Sequence, residues 1–366
     1  MHTTWRVLAG SLLGAVLAGP VAGEPVFHLG PAPTRDQFPP NLFSLAYQPA
    51  PPDPMAPGAW EADLQCVEAN TLEFSDVIKD SLPANPAARI NLSQQWAEGI
   101  AAANPSLPVI FLFQMETTLT TLRLRAGTGL GGEAWLQLPV LGYSGGFEDG
   151  LIEDIHKLGF EQSGRAAIPK DQVRIVLIQD GQLKYYSNAS SGPQVLDPVL
   201  GYTQRLLARP TGSLALSGQV KPALMPSRFD MRAGWDTGLQ LSGRWSPLPA
   251  LDLYYGFGGV HRESGSRAFN RFGFRDQRGA HLMVECLHNA TWRPFFQLLY
   301  LSGSTFPMAG QRLNLPSLQH DLGVHWMLGR NQVLTLRYLN NITHNENTAD
   351  MALMLEYSLR SGPAAP

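Results

Sequence analysis

LGGEAWLQLPVLGYSGGFEDGLIEDIHKLGFEQSGR, residues 130–165, decides the fold. It begins as a strand: Ala134, Leu136, Leu138 and Val140 alternate with Glu133, Trp135, Gln137 and Pro139, which puts the apolar residues on one face. After Gly145-Gly146 the period changes. Phe147, Leu151, Ile155 and Leu158 recur at helical spacing up to Gly159, so the strand hands over to a short amphipathic helix. The strand half of this unit recurs along the chain and the helix half hardly at all.

Moving outward, Trp60, Ala62, Leu64 and Cys66 alternate with Glu61, Asp63 and Gln65, and Leu122 and Leu124 with Arg123 and Arg125. Leu196 to Tyr202, Leu214 to Lys221, Met231 to Arg244 and Leu251 to Phe257 continue the rhythm. Leu282 to Cys286, Phe296 to Tyr300, Leu318 to Leu328, Leu334 to Tyr338 and Met351 to Leu359 complete it. A charge on the second face of nearly every strand fits lipid outside and water inside better than a soluble sandwich with a dry core. Trp60, Trp235, Tyr255, Tyr300, Trp326 and Tyr357 are candidates for interfacial girdles.

Connections near 129, 210, 247, 291 and 330 are short. They alternate with longer ones at 75–114, 143–194, 260–279, 303–317 and 341–349, the link from Pro222 to Ser227 being the exception. A barrel with periplasmic turns and extracellular loops requires this alternation. The expected fold is all-β: an antiparallel transmembrane β-barrel of twelve strands with a short helix in a long extracellular loop and both termini in the periplasm. A hairpin turning at Asp180-Gly181 raises the count to fourteen if it joins the wall. A second helix is expected from Leu92 to Ala103, stopped by Asn104-Pro105.

Composition agrees. The 366 residues include 36 Gly and 29 Pro, charged residues make up only 16%, and a net charge of -3 excludes a broad nucleic-acid surface. Met1 to Gly23 reads as a secretory signal, with Arg6, an apolar core from Val7 to Leu17 and small residues before Glu24. Residues 24–58 form a proline-rich segment lying either in the periplasm or in the barrel mouth. The barrel covers 59–360 and a tail 361–366. Cys66 and Cys286 lack zinc-site spacing and read as small buried hydrophobes, with a bridge as the alternative.

The inward register collects Arg123, Arg125, Lys221, Arg232, Arg244 and Arg337 against Glu133, Asp230, Asp236, Asp252, Glu285, Asp321 and Glu356. Buried charges must find partners or water, so this set is either a packed ion-pair network or the lining of a narrow hydrophilic pore. Passive passage or binding of a small solute is the leading functional reading. The enzymatic alternative is an outer-leaflet lipid-ester hydrolase using Ser302 with His320, which share the lipid-facing register near extracellular strand ends but lack an orienting third residue. A third reading is a rigid surface barrel whose loops bind a partner. An open bore favours the first and a filled one the other two.

His156, beside Glu153 and Asp154 on the loop helix, has no second histidine near it, so neither a metal nor a cofactor is expected. The Asn-x-Ser/Thr matches at Asn91, Asn188 and Asn289 carry no function here. The expected partners are outer-membrane lipid and a small solute, with the oligomeric state open.

Gly30-Pro31 with Thr34, Gln37 and Pro39; Ile155-His156 followed by Gly159 and Gly164-Arg165; and Asn341-Ile342 with Asn347 and Asp350 together resemble a bacterial family of proteins of unknown function, family 3187. The resemblance implies an outer-membrane barrel and a cell-outer-membrane location, and it lends no activity. The stretch from His156 to Arg165 departs from the family by being one residue short and by carrying Lys157 where an acid is usual.

Overall fold

Period-two alternation with short turns makes neighbouring strands antiparallel, and in the computed structural model they close on themselves. The structure describes residues 28–83, 89–150, 152, 165–225, 234–263, 275–303, 314–343 and 349–361. The signal segment, Asp230, Arg232, His156 with most of its expected helix, and residues 362–366 lie outside the described residues.

Among the described residues, fifteen strands form one sheet. They are β1 (Trp60–Phe74), β2 (Val109–Gly127), β3 (Gly132–Ser144), β4 (Arg174–Gln179), β5 (Gln182–Ser187), β6 (Ser191–Val195), β7 (Val199–Arg209) and β8 (Gly212–Lys221). The remainder are β9 (Asp236–Leu248), β10 (Leu251–His261), β11 (Gln277–Cys286), β12 (Trp292–Leu301), β13 (Ser317–Gly329), β14 (Gln332–Asn341) and β15 (Met351–Ser361). Twelve of them, β1 to β3 and β7 to β15, make the closed wall, sealed where Trp60 to Asn70 pair with Ser361 to Met351. The expected count of twelve holds. The Asp180-Gly181 hairpin is real, but β4 pairs only with the first residues of β2, Val109 to Gln114, and β5 only with β4, so neither enters the ring. The extra strand β6 continues the line of β7 against the upper end of β3.

The outer face is apolar: Leu64, Leu124, Leu216, Phe257, Leu282, Leu336 and Leu355 are exposed. Trp60, Trp245, Trp292 and Trp326 stand near the short-turn end, with Trp292 stacked on Trp326 at 4.7 Å, where indoles suit a membrane interface. The wall strands, each of ten residues or more, meet the nine to eleven or so needed to span a bilayer.

Two boundaries differ from expectation. β2 starts at Val109, inside the stretch read as a loop. The run from Val109 to Phe113 is buried on both faces, so it has no polar face for a period-two signal to register. β9 starts at Asp236, later than the alternation from Met231 suggested. The cysteines are free, and Cys66 is exposed, not buried, because its outward face meets no covering loop; Cys286 is buried.

The upper ends of β1 and β2, with β4 and β5, rise beyond the apolar band. Their outer face (Leu72, Ile110, Leu112, Val176, Ile178) packs against the helices Asp76–Ser81 and Gln94–Ala103. The second helix matches the expected one, capped by Ser93 Oγ accepting from Trp96 N–H at 3.2 Å.

A sheet of twelve strands encloses more space than its own inward side chains fill. The proline-rich segment fills it. From His28 to Gly58 the chain runs up the bore and back, a hairpin whose apex is the 3₁₀ turn Pro39–Phe43. The frequent prolines explain why it stays separate: without N–H groups neither limb can join the wall as a strand.

Candidate functional site: the plugged lumen

The path of the hairpin is read from its partners. His28 Nδ1 lies 2.6 Å from Asp252, one residue past the β9–β10 turn. Thr34 Oγ1 donates to Asp321 at 2.5 Å and accepts from Gln297 and Arg337, each at 3.0 Å. Beyond the apex, Leu45 N–H donates to Asp236 at 2.7 Å while the Arg262 guanidinium donates to Leu45 O at 2.7 Å, at the opposite end of the barrel. Tyr47 follows, its N–H on Gln277 at 2.9 Å and its hydroxyl 2.8 Å from His281 Nδ1. The returning limb sets Asp53 against Arg244 at 2.8 Å and Met55 N–H on Glu133 at 3.0 Å, back at the short-turn end. The limbs touch: Gln48 donates to Pro33 O, and a Cβ on Gly30, at φ +89°, would lie 3.0 Å from Pro51. About ten extended residues at ~3.1 Å each give a limb of ~30 Å, the thickness of a bilayer core.

Two glycines make room for it. A Cβ on Gly279 of β11 would collide with the Tyr47 ring, and one on Gly127 with the Ala56 carbonyl where the hairpin leaves the bore. Between the returning limb and the wall of β2, β3, β8 and β9 a cavity of about 20 Å³ remains, bordered by Gln48, Arg125, Trp135 and Gln240. That is room for about one water.

The expected lumen residues are inside. Arg123, Arg125, Glu133, Lys221, Asp236, Arg244, Glu285, Asp321, Arg337 and Glu356 all point into the bore, and among them only Arg123 is more than marginally exposed. They are organised in two ways. Around β1 and β2 the wall pairs with itself: Arg125 bridges Glu61 at 2.5 Å and Glu133 at 2.8 Å, Arg360 also meets Glu61, and Arg123 pairs with Asp63 at 2.8 Å. Elsewhere the wall pairs with the hairpin, through Thr34 on the Asp321–Arg337 pair (3.0 Å), Leu45 on Asp236 and Asp53 on Arg244. Both halves of the set are thus packed and paired, one within the wall and the other against the hairpin, with room for about one water between them.

The hairpin residues Thr34, Tyr47 and Asp53 are the part that sequence reasoning missed. One signal was present: Phe38, Phe43 and Tyr47 are more aromatic residues than a solvated linker carries.

Ser302 and His320 are not brought together. His320 lies opposite Leu298 on β12, four residues before Ser302, or ~13 Å along the strand at ~3.3 Å per residue. Ser302 Oγ accepts from Arg278 N–H at 2.8 Å, and His320 sits between the rings of Phe296 and Tyr338. The hydrolytic dyad is thus corrected: a shared register face does not place two residues at the same height.

Arg165, from the loop-helix pair, is buried outside the wall. It binds Asp149 at 2.5 Å, Asn70 Oδ1 at 2.9 Å and Asp350, tying the 145–171 loop and the start of β15 to β1. Nearby, Glu116 accepts from Phe147 N–H at 2.8 Å and Glu148 N–H at 2.5 Å. Burial, then the charges of Glu116, Glu68 and Asp149, push the Glu148 carboxyl up to about 8, against the pull of Arg165.

The family model described as "Protein of unknown function (DUF3187)" matches residues 77–361. No curated protein matches. The COG4313 outer membrane channel from Pseudomonas putida F1 superposes with a TM-score of 0.53 at 11% identity, over 86% of this chain and 100% of that one. The NanC porin gives a TM-score of 0.42 at 8% identity, over 69% of this chain and 98% of its own. The first of these shares the fold, a closed antiparallel β-barrel.

Proposed function

The chain belongs to the DUF3187 family of proteins of unknown function, and from that premise we propose that it is a gated outer-membrane channel for a small solute, closed at rest by its own N-terminal hairpin. The bore is filled, the outcome expected to favour the hydrolase or the partner-binding barrel; what supports a channel instead is the kind of filling. A barrel built only as a rigid scaffold would pack its interior with side chains of its own wall. Here the filling is one continuous segment, residues 28–58, that leads into the wall at β1. It is held by hydrogen bonds and ion pairs, which water replaces at small net cost, and by the packing of Phe38, Leu42, Phe43 and Tyr47, which favours the closed state. Withdrawing it leaves the twelve-strand ladder untouched and exposes a charged lining wide enough for a polar path. The short turns lie on the periplasmic side in this reading, which puts His28 and Gly58 there as well; export by residues 1–23 delivers the chain to the outer membrane, whose lipid covers the apolar outer face.

Planar-bilayer recording of the purified protein tests this. The full chain gives rare or no openings, and a variant lacking residues 28–57 gives steady conductance. A silent deletion variant that still shows folded-barrel heat modifiability overturns the proposal.

One observation favours a second reading: the strand extension with its two helices forms a built surface beyond the membrane, as a partner-binding barrel would carry. That reading expects no current from either form.

A further inference from the structure

The lumen changes character along its length. On β1 the inward residues run Glu61, Asp63, Gln65 and then Val67, Ala69, with Thr71 and Glu73 at the rim; on β2 they run Arg125, Arg123, Thr121 and then Leu119, Thr117, Met115, Phe113, Phe111. β15 does the same, from Glu356 to Met354 and Ala352, and β14 passes from Arg337 to Leu339. Above the level of Gln65 this side of the bore is therefore an apolar cup, extended by Ile175 and Leu177 of β4, which lie opposite Phe113 and Phe111. A wall that faces water needs no such surface, and a wall that faces lipid would carry it on the other side.

The cup is buried only because the hairpin apex fills it. Phe38, Leu42 and Phe43 belong to the same apolar cluster, and Phe38 meets Phe113 edge to face at 5.9 Å and 87°, with Phe111 another 5.4 Å beyond. The same apex has a polar side, where Asp36 accepts from Phe38 N–H at 3.0 Å and from Asn41 at 2.7 Å. The tip thus presents aromatic and aliphatic groups to the cup, while Asp36 and Asn41 bond to each other and Asn41 accepts from Arg262 just past β10. A small apolar molecule bound in the cup would look much the same to the wall.

We infer that the cup is the solute-binding site, that it takes an apolar molecule of about the size of one aromatic ring, and that Phe38, Leu42 and Phe43 occupy it as an intramolecular competitor. This rests on the gated-channel reading. When the hairpin leaves, the apolar wall is exposed to water, which disfavours the open state; a solute that binds only the vacated cup removes that exposure and shifts the equilibrium toward opening. Aromatic solutes suit the site because the Phe111 and Phe113 rings offer both faces and edges.

The test reads hairpin release directly. Ala46, buried on the returning limb, is replaced (Ala46→Cys) in a background where Cys66 and Cys286 are serine, and its labelling by a water-soluble maleimide is followed in lipid vesicles with toluene or glucose added. Toluene raises the labelling rate about fivefold or more and glucose leaves it unchanged. Phe43→Ser, which weakens the competitor, moves the toluene response to lower concentration. Phe113→Ser, or Leu141→Ser across the cup should the first variant not fold, abolishes the toluene response while glucose flux through the variant lacking residues 28–57 persists. Equal labelling with and without toluene, or an equal effect in the wall variants, overturns the assignment of the cup. A deletion variant that conducts nothing overturns the channel reading itself, so the two failures are distinct.

Discussion

Tyr47→Ala is the sharpest perturbation of the closed state. Tyr47 is 1% exposed, seated over Gly279, with its hydroxyl 2.8 Å from His281 Nδ1. Truncating a fully buried aromatic ring costs about 3–5 kcal/mol, and the lost hydrogen bond adds about 1 kcal/mol. In the withdrawn hairpin residue 47 faces water in both forms, so nearly all of this falls on the docked state. Taking about 4 kcal/mol and about 1.4 kcal/mol per decade, the open-to-closed ratio rises roughly 10³-fold. Single-channel recording in planar bilayers reads that ratio as open probability. Gly279→Leu approaches the same contact from the wall: its side chain claims the space of the ring, and the shift has the same sign. If both variants fold and keep the parental open probability within about threefold while the 28–57 deletion conducts, the hairpin does not dock as a unit through Tyr47, and the reasoning fails.

Three further outcomes follow from other parts of the molecule. Arg165→Met strands Asp149 and Asp350 without their buried partner, at about 3–5 kcal/mol; limited proteolysis cuts the 145–171 loop faster, while conductance of the 28–57 deletion is unchanged. Glu148, held up to about 8 in the folded chain against 4.5 for the free acid, binds its proton more tightly folded than unfolded. Its loop is therefore most stable below pH 4.5, loses stability as pH rises from there to about 8, and is level above. Hydrogen exchange at the Phe147 and Glu148 amides, corrected for intrinsic rate, shows protection falling across that window, and Glu148→Gln makes it flat. Leu336→Arg, on the exposed outer face near the middle of β14, costs about 2–4 kcal/mol if that face meets acyl chains, measured as a shift in the denaturant midpoint on refolding into lipid vesicles. A neutral result there argues against a bilayer around the wall.

The sequence by itself determined the wall. Period two is local: when Leu334, Leu336 and Tyr338 face out, Thr335 and Arg337 must face in, so twelve strands, their inward charges and the short-turn end are all written within a few residues of each position. Where both faces are buried that signal vanishes, which is why Val109 to Phe113 read as a loop although it is the upper end of the longest strand. Height around a barrel is not local either, and the Ser302–His320 pairing dissolved once the ladder placed Leu298, not Ser302, opposite the histidine. Only the tertiary structure decided what the proline-rich segment does. Its contacts join Thr34 to Asp321, Tyr47 to His281 and Asp53 to Arg244, residues separated by some 190 to 290 positions and related by no repeat. A segment without periodicity declares its place only through the shape and charge of the cavity that receives it, and that cavity exists only when the sheet has closed.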